Sequence, residues 1–355
     1  ARKAARTLDK DVHLWRNLGE QMIACKGDLQ PHHAADCLRC FARVAYGPTH
    51  VVDALSASIC IESDVRSKSV ALLALHKLGA PTEDLRKQLI LNTAGQLEDM
   101  KILDLKQMLV ALARVAPAPH AVDRGVAADA KVNRGRRRRN DPVFEFEATQ
   151  ETITIETGFT DEICQAFSQR YGDAPDSRDF LVVPYCLARL KHRDDTVLRH
   201  SATRALEVVS SRLPVVELDL LQVIAGLRYF CPPESVVKGI GTGPHGSFDE
   251  KTTLAIQDTI RKCSFLANSL FGRIDLDELE SCGRGLRTLF ITDPFVLGLF
   301  GAAIGKRAAD LTNAKLNDFA NLLSHPTKMD GWAEIAKELH KRKGDSEKKR
   351  RPRPQ

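Results

Sequence analysis

Four side chains with metal-binding chemistry fall within nine residues, His32, His33, Cys37 and Cys40. A helix through them sets His33, Cys37 and Cys40 on neighbouring turns, which is part of a metal site. Four-coordinate zinc draws on two well-spaced ligand pairs, however, and no second Cys-x-x-Cys exists in the chain. Cys37 and Cys40 also coincide with an apolar helical stripe, so they read as buried thiols, and neither metal nor cofactor is expected. Gly239, Gly241, Gly243 and Gly246 have the look of a phosphate-cradling loop. The Gly-Lys-Ser/Thr ending of a phosphate loop is missing, as is the strand that precedes a dinucleotide fingerprint, and an inter-helix insertion is the expectation. No Ser/His/Asp, Cys/His or paired-carboxylate set stands out, so no enzymatic activity and no small-molecule substrate are expected.

The remaining chemistry is cationic. From Lys341 to Gln355 there are eight basic residues (Lys341, Arg342, Lys343, Lys348, Lys349, Arg350, Arg351, Arg353) and two acids, which equals the net charge of +6 of the whole chain. A second run, Arg134, Arg136, Arg137, Arg138 and Arg139, lies in a segment without apolar period. A near-neutral body with basic extensions engages phosphate by counterion release without a basic groove. Both runs lack an apolar face and do not read as membrane-surface helices; they are the candidate RNA contacts. A solvated tail, or a targeting signal for the C-terminal run, is the competing reading.

Six further cations recur at one place in a repeated phrase: Arg43, Lys77, Arg114, Arg189, Arg228 and Arg287. They are candidate phosphate contacts along one face of an array. Equally, each stands in the last turn of a helix, where the carbonyl end of the macrodipole favours positive charge.

The elements that carry them are helical hairpins. The phrase is a leucine-rich amphipathic stretch ending in Ala/Leu/Arg, as in Leu38–Val44, Leu72–Leu78 and Met108–Val115, then a short loop that usually carries Pro, then a second apolar helix. Between successive cations the gaps are 34, 37, 75, 39 and 59 residues, most of them near one period of about 37 or twice it. Such a period marks units that bury their apolar faces only against neighbours. The expected fold is all-α, an α-solenoid of about seven hairpins with a repeat of about 37 residues.

The expected order is an N-terminal extension over 1–10, repeats over 11–116, a basic insertion and β-like arm over 117–158, repeats over 159–340 and a basic tail over 341–355. The arm rests on Val143–Glu147 and Thr152–Ile155, the good period-two alternations in the chain. The Arg-rich start, ARKAARTLDK, fits an organellar presequence remnant or a trimmed end. No run of 18 or more uncharged apolar residues is present, so no membrane partner is expected. Nine scattered cysteines read as reduced thiols.

Lys106–Val115 and Pro294–Ala302 resemble the two helices of the organellar heptatricopeptide and octotricopeptide repeats, related to those of FAST-kinase-domain proteins. The resemblance covers roughly two-thirds of the chain, read by repeat period. It implies a mitochondrial or plastid location and an RNA-related role, including service in divergent mitochondrial ribosomes. Members often end in an endonuclease-like RAP domain; the chain reaches Gln355 soon after its last hairpin, so RNA cleavage is not expected. The resulting expectation is a non-catalytic architectural subunit of a mitochondrial ribosome in the matrix. Basic extensions would contact rRNA, and the helical array would contact other subunits. The alternatives are a free mitochondrial RNA-binding factor in transcript maturation or stability, and a protein-contacting subunit of a respiratory or ATP-synthase complex.

Overall fold

The computed structural model describes residues 11–59, 63–116, 150–173, 176–211, 214–232, 248–323 and 331–350. These residues form fifteen α-helices joined by loops and 3-10 turns, with no strand among them. The all-α expectation therefore holds. By contact density the chain divides into two units, Ala1–Asp179 with Cys186–Val197, and Phe180–Tyr185 with Leu198–Gln355.

In the first unit the helices are α1 (Val12–Ala24), α2 (Pro31–Val44), α3 (Thr49–Ser56), α4 (Val65–Leu78), α5 (Glu83–Thr93), α6 (Ile102–Val115) and α7 (Gln150–Gln169). Pro31 occupies the first turn of α2, where its missing N–H costs nothing and its fixed φ suits the helix. Asp64 caps α4, its carboxylate accepting the Ser67 backbone N–H at 2.9 Å. Alternate helices pack side by side, α2 on α4 and α4 on α6, while α3 and α5 pack against α2 and α4 as hairpin partners. The core of this layer includes Leu38, Phe41, Val51, Leu72 and Leu105, all within 1% of complete burial. Trp15 of α1 meets Phe41 edge-on with ring centroids 5.4 Å apart.

Four of the six copies of the recurring phrase end in one backbone device, those of Arg114 and Arg228 being the exceptions, with negative φ at Ala116 and Cys231. Two residues beyond Arg43, Lys77 and Arg189 stand Ala45, Gly79 and Lys191, all left-handed with φ between 54° and 70°. At each, paired bonds close the last turn: Ala45 N–H to Ala42 O with Tyr46 N–H to Phe41 O, Gly79 to His76 with Ala80 to Leu75, Lys191 to Ala188 with His192 to Leu187. This is the Schellman termination, which satisfies the orphan carbonyls of the helix end. Phe290 repeats it at φ 54°, three residues after Arg287.

One expectation changes. Thr152–Ile155 lies in the first two turns of α7 rather than in a strand. Its four-residue alternation is shorter than the helical spacing of Ile155, Phe159, Ile163 and Phe167, and β-branched residues accept a helix when a longer apolar stripe demands one. Val143–Glu147 lies outside the described residues. Thr82 stands at the N-cap of α5, but its side chain makes no capping bond.

The second unit holds α10 (Glu217–Phe230), α11 (Glu250–Phe271), α12 (Leu276–Thr288), α13 (Pro294–Gly305), α14 (Asn313–Leu323) and α15 (Trp332–Arg350). Helices α8 (Val183–Leu190) and α9 (Asp195–Ser210) carry residues of both units. Helix α10 packs on α11, α11 on α13, and α13 on α15. Phe300 stands between Phe271 and Phe319, its centroid 6.2 Å and 5.7 Å from theirs. Close approach relies on missing side chains: a Cβ on Gly331 (φ +80°) would collide with the Gly301 carbonyl, and one on Gly283 would lie 2.5 Å from Phe319. Asp275 and Glu278 form a reciprocal capping box at the start of α12.

Candidate nucleic-acid and protein interface

The six recurring cations have different fates. Arg189 is 5% exposed and points its guanidinium at the C-terminal end of α6, where Nε donates to Ala113 O at 3.2 Å and Nη2 to Ala116 O at 2.6 Å. One arginine thus satisfies carbonyls that the α6 helix leaves orphaned, at the negative end of its dipole. Arg228 pairs with the Asp293 carboxylate at 3.1 Å and lies over the Phe295 ring at 4.5 Å. Arg287 donates to Asp318 O at 2.7 Å. Arg43 and Lys77 are exposed, and no hydrogen bond or ion pair holds their side chains among the described residues. Arg114 is half-buried.

The two basic runs are placed in part. Arg134, Arg136, Arg137, Arg138 and Arg139 lie outside the described residues, as do Arg351 and Arg353. Residues 341–350, expected in a tail, continue the last helix, α15. Within it Arg342 is an anchor: it reaches Glu338 at 2.7 Å, Leu311 O at 2.6 Å, Ala309 O at 2.8 Å and Asn313 Oδ1 at 3.0 Å. Its charge is engaged by the body, and pairing holds the Glu338 carboxyl below its ordinary pKa. Lys341 approaches the same carboxylate at 3.8 Å and is exposed, as is Lys343. Lys348, Lys349 and Arg350 form the last turn of the helix.

A second feature is visible only with the helices assembled. Counting back from each cation in steps of four, three and four residues gives the open side of three neighbouring helices. On α2 the positions are His32, Asp36, Arg39 and Arg43; on α4, Arg66, Val70, Leu73 and Lys77; on α6, Leu103, Gln107, Val110 and Arg114. All are exposed or half-buried, while the residues between them are mostly core. Between the first two stripes lies an open cleft of ≈ 410 Å³, lined by His32, Asp36, Arg39, Arg66, Ser67 and Val70 among others. Arg39 is paired with Asp36 at 2.6 Å. Asp64 loses some ionisation to burial, yet the hydroxyl and N–H of Ser67 outweigh that and hold its carboxyl below its ordinary pKa. Arg66 is exposed and unpaired among the described residues. The equivalent positions on α10 include Leu221 and Ile224, both wholly buried, so the open stripe does not recur there.

His76 adjoins this face at the end of α4. Desolvation of its ring, then the charges of Arg189 and Arg114, hold its pKa below 6.5, so cations gather at this end of the helices. Cys186 is pushed up to about 12 by burial, against the pull of Arg114, Arg189 and Lys106. Burial likewise raises Cys263 and Cys282 to about 12 and lifts Cys164 well above its usual value. These thiols stay protonated at neutral pH, which is inert core chemistry. Cys40 is 5% exposed, and it is a free thiol, as are Cys25, Cys164, Cys186, Cys263 and Cys282.

His32 and His33 stack with ring centroids 4.0 Å apart. No group of three or more His, Cys, Asp or Glu side chains among the described residues is arranged to hold a metal ion. The Gly239–Gly246 loop lies outside those residues. No described helix is long and apolar enough to cross a membrane.

No family model matches the chain, and no curated protein matches it.

Proposed function

We propose that this protein is a non-catalytic architectural subunit of a mitochondrial ribosome. Its helical array is read as an α-solenoid with a repeat of about 37 residues. In this reading the array packs against neighbouring proteins, while the 134–139 and 348–353 runs neutralise rRNA phosphates. The observation that carries it is where the charge goes. Arg189, Arg228, Arg287 and Arg342 are engaged inside the fold, and the net +6 equals that of the last fifteen residues. Phosphate binding then rests on the irregular basic runs rather than on the repeated cations. The side-by-side stacking of α2, α4 and α6, with the same Schellman ending on α2 and α4, supports the solenoid reading of the first unit.

The test is ultraviolet crosslinking in intact mitochondria followed by sedimentation. The expected result is co-sedimentation with ribosomal particles, release by high salt, and RNA crosslinks at Arg136–Arg139 and Lys348–Arg351. Removing the four charges of 348–351 should lower the slope of log affinity against log salt by about 3, at roughly 0.7–0.9 per phosphate contact. Sedimentation only with a membrane complex overturns the ribosomal assignment. Unchanged RNA binding after loss of both runs overturns the role given to them.

A further inference from the structure

We infer that the open face of α2, α4 and α6 is the seat of an acidic amphipathic helix from a neighbouring protein. The inference rests on the reading above in one respect, that the array faces protein, and it names the chemistry of that neighbour. An aliphatic ridge crosses part of the face: Val70 and Leu73 are half-buried on α4, Val110 is half-buried on α6, and Leu103, at the end of the α6 stripe, is 48% exposed, while the α2 stripe is polar throughout. Uncommitted cations stand at its borders, with Arg66 at one end of the α4 stripe, Lys77 at the other, and Arg43 at the C-terminal end of the α2 stripe. An aliphatic ridge with basic borders complements a helix whose apolar face is bordered by carboxylates.

Size agrees with this occupant. Three packed helices with axes about 8–10 Å apart span about 20 Å, the length of about thirteen helical residues. The ≈ 410 Å³ cleft between α2 and α4, with Arg39, Arg66 and Ser67 in its lining, receives a polar side chain from the border of such a helix. A single-stranded nucleic acid fits less well. Its bases need stacking platforms, and the twelve stripe positions hold no Phe, Tyr or Trp. Nor does a phosphate track explain aliphatic side chains left on the face.

The test uses the full chain and a fluorescein-labelled peptide of about eighteen residues, Leu at helical spacing and Glu at the flanking positions. Anisotropy should show saturable binding. A peptide of the same composition with the Leu spacing scrambled should bind at least tenfold more weakly. The exposed-charge variant R43E/R66E/K77E should lose the Glu peptide and bind its Lys counterpart instead. V70Q/L73Q should weaken binding at least tenfold while far-ultraviolet circular dichroism shows the chain still folded at the assay temperature. Equal binding of patterned and scrambled peptides overturns the proposal, as does no binding. Competition by oligouridylate that depends on Arg43, Arg66 and Lys77 but not on Val70 and Leu73 overturns it in favour of nucleic acid. RNA crosslinks at the two basic runs are scored separately, so failure here leaves the ribosomal reading standing, and the reverse.

Discussion

Gly226 and Gly158 both lie in helix interiors, and the same substitution should move stability in opposite directions. Alanine is favoured over glycine in a helix by about 1 kcal/mol. Around Gly158 in α7 nothing approaches within 4 Å of an added Cβ, so Gly158→Ala should gain about 0.5–1 kcal/mol. At Gly226 in α10 the new Cβ would stand 2.3 Å from the Pro184 carbonyl carbon, 2.3 Å from the Tyr185 nitrogen and 2.6 Å from the Pro184 oxygen. Those are backbone atoms, which cannot rotate away, so the two segments must part by about 1 Å or more to reach ordinary contact. Overpacking of this kind costs about 1–3 kcal/mol. Displacing Tyr185, 5% exposed with its hydroxyl donating to Leu289 O, adds about 1–3 kcal/mol for a strained buried hydrogen bond. After subtracting the helix-propensity gain, Gly226→Ala should lose about 3 kcal/mol. At about 2–4 °C per kcal/mol, its midpoint by far-ultraviolet circular dichroism should fall by roughly 6–12 °C, with Gly158→Ala rising slightly. A Gly226→Ala variant that melts with or above the parent protein refutes the close approach of Pro184 to α10.

Arg189→Ala removes a buried guanidinium from the Ala113 and Ala116 carbonyls and should cost about 2–4 kcal/mol in urea unfolding. Arg189→Lys should recover less than half, because one ammonium cannot span both oxygens as the planar fork does. Asp275→Ala deletes the capping box of α12 and should cost about 1 kcal/mol, with no effect on RNA crosslinking. His76 titrates below 6.5 in the folded chain, so on acidification the unfolded chain takes up its proton first. The associated stability is present above pH 6.5 and lost as pH falls through the lower, folded value. His76→Gln should therefore flatten the urea midpoint between about pH 5 and 7, and an unaltered pH profile would show that neither desolvation nor the Arg189 and Arg114 charges lower the pKa of this ring.

Local signals located most helices because local chemistry specifies their ends. Helix α4 spans Val65–Leu78 between an Asp64 cap and the left-handed Gly79, and Pro31 starts α2; each boundary is written within three or four residues. Thr152–Ile155 went the other way, since a short alternation has no local arbiter and the helix is decided by apolar residues as far off as Phe167. The open face of α2, α4 and α6 was not legible at all. Leu73 and Ile224 have the same chemistry at matched positions of the repeated phrase, yet one is half-open and the other wholly buried, and only the packing partners tell them apart.

The repeated cation shows the same limit from the polar side. Arg43, Lys77 and Arg189 each stand two residues before a left-handed residue that closes a Schellman turn, so the spacing is set by helix termination. What the charge then does depends on what lies beyond that turn. At Arg189 it is the carbonyl end of α6, whereas at Arg43 and Lys77 it is solvent. The recurrence of these three cations therefore records how their helices end, and the exposed members of the series must be judged by their surroundings. The open face that carries Arg43 and Lys77 also carries Val70, Leu73 and Val110 and has no Phe, Tyr or Trp at its stripe positions, which favours the protein helix proposed for it over a nucleic acid.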